Sequence, residues 1–252
     1  MKFSAADWCF VKKSGLGAEK YYSELRRIGY EAVEMTWSGH RAAARAAGLE
    51  VINLCGPGMQ KGLNRREHHA ELLQQIRQSI AEAATDRIPY VVLFSGNRDG
   101  QADAEGIRNC VAGIEQLVGD AAQAGVTLLF EMLNSFEHAD YQANSSAYGF
   151  EVVKQINSPA LKIVYDIYHM ERMGENSIKD VTGNLNLLPH LHVAESPART
   201  VPLAEWNIRY REIVGKIARA GYAGYWGMEF LPGNDVLGDL QTALTEFNSF
   251  VE

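Results

Sequence analysis

Residues 161–170 read LKIVYDIYHM, a run that begins as a buried strand and ends in two titratable side chains, Asp166 and His169. Leu161, Ile163 and Val164 are aliphatic and follow a Ser-Pro break at Ser158 and Pro159, which suits an interior strand of a parallel sheet. A carboxylate closing so apolar a run is costly to bury unless it is paired, hydrogen-bonded or bound to a metal. Taken alone, the motif reads equally well as an Asp capping a strand-to-helix turn. Repetition elsewhere in the chain tips the balance.

Three further stretches share this grammar. Residues 126–134 read VTLLFEMLN and carry Glu131; residues 188–195 read LPHLHVAE and carry His192; residues 225–232 read YWGMEFLP and carry Glu229. Each is a strand-like run with a metal-competent side chain near its end, and helix-length segments separate them. Two Glu, one Asp and one His together suit one divalent cation of the magnesium or manganese kind.

Working outward, strand and helix signals alternate through all 252 residues, with no Pro/Gly/Ser-rich linker, so a single domain over 1–252 is expected. Strands are expected at residues 2–6, 32–36, 50–55, 90–95, 127–132, 162–166, 191–194 and 225–230. Helical periodicity is strongest at 66–84, 104–124, 210–220 and 236–251, and a short Ala/Arg-rich helix is expected at 39–47. Gly29, Gly48, Gly125 and Gly221 each fall just after a helix, where a left-handed C-terminal glycine belongs.

Eight βα units with right-handed crossovers favour a closed (β/α)8 TIM barrel, an eight-stranded parallel barrel with outer helices, over an open doubly wound sheet. The dinucleotide fingerprint of the open sheet is missing. Gly15 and Gly17 lack the third glycine after a strand, and GPGMQKG at 56–62 lacks both the fingerprint spacing and the phosphate-loop ending. Active sites of such barrels lie at the C-terminal strand ends. Glu131, Asp166, His192 and Glu229 fall there, on expected strands five to eight.

The 46% hydrophobic and 22% charged shares are those of an ordinary globular protein, and the formal net charge of −7 argues against nucleic acid as a partner. No apolar run approaches membrane-spanning length, so no membrane partner and a cytoplasmic location are expected. Cys9, Cys55 and Cys110 are widely spaced, without a CxxC pair, and read as reduced thiols.

EMLN at Glu131, HADYQAN from His138, YDIYHM at 165–170, HLHVAE at His190 and GMEFLP at Gly227 resemble motifs of the xylose-isomerase-like barrels, most closely the hydroxypyruvate isomerases. The resemblance spans nearly the whole chain. It implies Glu131, Asp166, His192 and Glu229 as metal ligands, with Glu131 and Glu229 doubling as acid and base, and His169 and Arg199 orienting substrate oxygens. His192 with an Arg a few residues later, here Arg199, is instead the pattern of the ketose 3-epimerases. The group also includes apurinic endonucleases, but those use three zinc ions and several further His ligands, whereas strands two to four carry no histidine here. A non-catalytic sugar-binding barrel is the remaining alternative, and retention of all four candidate ligands argues against it.

Isomerisation of a hydroxy-carbonyl compound, a small sugar or hydroxyacid, removes a proton beside the carbonyl and returns it elsewhere. Two glutamates flanking the substrate could carry that proton while a divalent ion stabilises the enediolate. Asn134 and His138, beyond strand five, are candidates to read substrate hydroxyls. Trp8, Phe10 and Trp37 follow strands one and two and either roof the pocket or pack beneath a helix. Lys61, Arg65 and Arg66 in the loop after strand three read as a solvated charge run, and His68 and His69 as surface residues. A homo-oligomer is compatible with the sequence, which names neither the substrate nor the native metal.

Overall fold

The computed structural model describes residues 1–203 and 207–251. Eight strands are present: β1 (Lys2–Ala6), β2 (Ala32–Glu34), β3 (Glu50–Cys55), β4 (Tyr90–Phe94), β5 (Thr127–Glu131), β6 (Leu161–Asp166), β7 (His190–Val193) and β8 (Tyr225–Met228). They run parallel in the order β1 to β8 and form a closed barrel with helices between them, the (β/α)8 arrangement expected from the alternating pattern.

Strand ends differ from expectation by a residue or two. β2 stops at Glu34 because Met35 takes a left-handed backbone, φ 51°, which breaks extension. β4, β5 and β8 also stop short, so Glu229 lies one residue beyond β8 and not within it. β7 starts at His190, which brings that histidine into the sheet. The helix expected over 104–124 is two helices, Asp103–Ile114 and Val118–Ala124. Gln116 and Leu117 donate to carbonyls only three residues back, and this tighter turn buries Leu117. The segment 39–47 likewise divides into a short turn, Ser38–His40, and the helix Arg41–Ala46. Gly125 ends its helix at φ 69°, as its position predicts.

The backbone gathers into two compact units, Met1–Ile52 with Asn176–Glu252, and Asn53–Glu175. In the first, β1 lies between β2 and β8, with Ser4 level with Gly227, and Gly227 in turn level with His192 of β7. Its outer layer is aromatic: Phe3, Trp226 and Tyr210 pack on Phe247 of the helix Val236–Ser249 at centroid distances of 5.4–6.4 Å.

In the second unit, the loop after β3 is tied down by polar bonds. Arg65 donates to the carbonyls of Arg98 (2.6 Å) and Asp99 (3.0 Å), and Arg66 to Asn109 Oδ1 (3.1 Å). Of the expected solvated charge run, Lys61 and Arg66 are exposed and Arg65 is half-buried. His69, expected at the surface, is buried with Nε2 2.8 Å from the Leu63 carbonyl. Among the described residues no helix is long and apolar enough to cross a membrane.

Candidate functional site

The first unit brings His192, Glu229 and Arg199 together. His192 sits on β7 and Glu229 just past β8, and Nδ1 of the imidazole is 3.2 Å from Oε2 of the carboxylate. The chain between Glu195 and Thr200 folds back on itself through paired backbone bonds, with Arg199 at φ 54°, a conformation rare outside glycine. That turn aims Arg199 inward. Its Nη2 lies 2.7 Å from Glu229 Oε2, and its Nε donates to the Glu229 carbonyl at 3.1 Å. Trp8, 42% exposed, donates through Nε1 to Glu229 Oε1 at 2.9 Å and stacks beneath the guanidinium, 5.2 Å from its centre. Phe10 packs against Phe230 instead, at 4.9 Å. Trp37 is 46% exposed.

Two acidic groups of this unit were not singled out from the sequence. Glu34 ends β2, fully buried, and accepts from Ser4 Oγ at 2.6 Å and from Nε2 of both His190 and His192 at 2.8 Å. Burial alone would push its carboxyl up, but the two imidazoles outweigh this and hold it well below the usual carboxylate range. Asp7 follows β1 and bonds Tyr22 at 2.5 Å; burial pushes its carboxyl up to about 7, against the opposing bonds from Tyr22 and Thr36. Both close short apolar runs, KFSAAD and AVE, so the grammar that found Asp166 could have found them too.

The second unit brings Asp166, His169, Asn134 and His138 together. Asp166 closes β6 and caps the helix Ile167–Arg172, accepting from the His169 backbone N–H at 3.2 Å. The capping and buried-carboxylate readings thus meet in one side chain. His169 Nε2 is 3.5 Å from Asp166 Oδ2, and its Nδ1 faces the Asn134 backbone N–H (3.1 Å) and Nδ2 (2.6 Å). Since Asn134 donates to Nδ1, the proton of a neutral His169 ring belongs on Nε2. The Asn134 oxygen accepts from the backbone N–H groups of Phe136 and Glu137. Asn134 therefore orients His169 and shapes the loop after β5, a use the sequence did not suggest.

His138 is half-buried, its ring 5.7 Å from that of His169, and it lines a cavity of about 210 Å³ with Gln60, Asn97, Glu137 and Tyr141. Glu131 closes β5, buried, and its carbonyl accepts from Tyr141 at 2.8 Å. Within single units, Glu34 with His190 and His192, and Glu137 with His138 and His169, form groups of metal-competent atoms.

The model of the xylose isomerase-like TIM barrels matches residues 22–246. Hydroxypyruvate isomerase of Escherichia coli (strain K12) is 29% identical over 107 residues, 42% of this chain and 41% of that protein. D-psicose 3-epimerase of Ruminiclostridium cellulolyticum is 32% identical over 234 residues, 83% of this chain and 77% of that protein. A solved structure of the protein IOLI with a bound zinc atom superposes with a TM-score of 0.79 at 16% identity, covering 100% of this chain and 98% of that one, and so shares the fold. With closed parallel topology and a family match over most of its length, the chain belongs to the xylose isomerase-like TIM barrel family.

Proposed function

We propose that this chain is a divalent-metal-dependent isomerase of a small hydroxy-carbonyl compound, with hydroxypyruvate and tartronate semialdehyde as the favoured pair. The observation that carries this reading lies at His192 and Glu229. Nδ1 and Oε2 are 3.2 Å apart while Nε2 is engaged by Glu34. Two ligand atoms each about 2.1 Å from a shared octahedral ion sit about 3 Å apart, so the pair has the spacing of neighbouring ligands.

Glu131 and Asp166 end the two strands that precede β7 in barrel order, and in this reading each gives one oxygen to the ion. This reading takes residues 1–252 as one domain. Three carboxylates and one imidazole suit magnesium or manganese. When bound, the ion supplies positive charge beside the carbonyl oxygen, where negative charge develops as the neighbouring C–H bond breaks.

The chain's own groups do the rest. One of Glu131 and Glu229 takes the proton from C3 of hydroxypyruvate, the other delivers one to C2, and the O3 hydroxyl proton passes to O2, so no outside oxidant or reductant is needed. His169, with its proton on Nε2, donates to a substrate oxygen. Arg199 and Trp8 hold Glu229 at a fixed angle, and His138 lines the approach. The 32% identical epimerase and the His192–Arg199 pattern favour a second reading, ketose 3-epimerisation, in which the proton returns to the same carbon from the opposite face.

The test is to strip the protein with chelator, reload it with Mn²⁺ or Mg²⁺, and follow hydroxypyruvate and several ketohexoses to product. Turnover of hydroxypyruvate that returns with one ion per chain is the expected result. A far faster ketohexose would establish the second reading. Full activity in chelator, or three tightly held zinc ions, would overturn both.

A further inference from the structure

The proposed reaction leaves the buried carboxylate that closes β2 unused. Glu34 is 0% exposed; its Oε2 lies 2.8 Å from Nε2 of both His190 and His192, and its Oε1 accepts from Ser4 Oγ at 2.6 Å. An imidazole whose Nε2–H is given to a carboxylate has only Nδ1 left to offer a lone pair. On His192 that atom is the one facing Glu229. His190 meets His192 edge to face, centroids 4.8 Å apart and planes at 89°, and its Nε2 holds the same Glu34 oxygen.

The space for this arrangement is made by a missing side chain. Gly227 is level with Ser4 on β1 and His192 on β7, and a Cβ there would lie 2.4 Å from Glu34 Oε1, 2.8 Å from His192 Cδ2 and 2.9 Å from His190 Nε2. Strands β1, β2, β7 and β8 thus combine to fix one carboxylate under one imidazole.

We propose that Glu34, braced by Ser4 and His190, is a positioning residue that keeps the proton of His192 on Nε2 and so presents Nδ1 to the cation. The proposal rests on reading His192 as a ligand. A carboxylate behind a ligating histidine sets its tautomer and raises its basicity, and its loss typically weakens metal binding by about 10- to 100-fold.

Two measurements on the purified chain test this without any assay of turnover. Long-range ¹⁵N–¹H spectra report which ring nitrogen of His192 carries a proton, and calorimetry with Mn²⁺ alone reports affinity. In the metal-free parent Nε2 should be protonated across neutral pH. In Glu34→Leu, of similar volume, no acceptor remains at this position for either ring, so the Nδ1–H form should appear on His192 and Mn²⁺ should bind about 10- to 100-fold more weakly. An unprotonated Nε2 in the parent, or parent-like Mn²⁺ affinity in Glu34→Leu, overturns the proposal. Should that variant fail to fold, the parent spectrum decides alone. A parent that binds no Mn²⁺ yet keeps Nε2–H overturns the metal reading and leaves the tautomer assignment standing.

Discussion

Arg199 holds Glu229 at two points, with Nη2 2.7 Å from the carboxylate and Nε 3.1 Å from the carbonyl of the same residue. A guanidinium spans the two oxygens with separate donor nitrogens held in a rigid fork, a geometry that a single ammonium nitrogen on a flexible stem does not reproduce. Arg199→Lys should therefore keep the charge but release Glu229, lowering kcat by roughly tenfold or more through lost positioning. Arg199→Ala leaves a buried carboxylate without this cation and should cost about 3–5 kcal/mol in urea unfolding. Unchanged kcat in the Lys variant would show that the fork is not needed.

Glu131→Gln and Glu229→Gln keep an oxygen for the metal and remove the basic carboxylate, so turnover should fall about 10²- to 10⁴-fold. Excess Mn²⁺ should restore neither. Asp166→Asn is the contrast. Asn caps a helix as well as Asp does, so the helix Ile167–Arg172 should survive and excess Mn²⁺ should recover part of the activity. Near-parent rates in both metal-saturated Gln variants would mean that neither carboxylate moves the proton.

Gly227→Ala places a methyl group 2.4 Å from Glu34 Oε1 and under 3 Å from both His190 and His192, so these side chains must shift. Overpacking of this kind costs about 1–3 kcal/mol, and here the displaced atoms include the support of His192. Denaturant unfolding should show the loss of stability, and Mn²⁺ titration a weaker ion. Parent-like values for both would show that the cluster can shift freely.

Asp7 gives the chain a pH dependence whose sign is fixed by its environment. Its carboxyl titrates at about 7 in the folded chain against an ordinary 3.8, so between those values the folded state binds more protons. Stability from this group is thus greatest below about pH 4 and is lost as pH rises toward 7, by on the order of 4 kcal/mol in all. Asp7→Asn has nothing to ionise and should flatten that slope in urea unfolding measured across the same range. Equal slopes in parent and variant would refute the assignment.

The barrel was legible because its periodicity is written locally: eight apolar runs, each followed by a helical pattern, and glycines where helices must stop. The strand-end carboxylates Glu131, Asp166 and Glu229 stood out for the same reason, since a charge at the end of an apolar run is conspicuous in one dimension. What the linear order could not convey is which groups those charges meet. Arg199 reads as a loop residue seven positions after His192, yet a left-handed turn carries it onto Glu229, thirty residues away. Asn134 reads as a substrate contact, and its bond to His169, thirty-five residues on, is visible only in the fold.

Glu34 and His190 are the clearest case. They are 156 residues apart, and although Glu34 closes an apolar run, nothing in either strand points to the other. The sequence alone determined the strands, their order and the chemistry available at their ends. Only the tertiary structure decided which imidazole nitrogen of His192 faces Glu34 and which faces Glu229, because that choice depends on contacts a few ångströms long between strands that only barrel closure brings near one another.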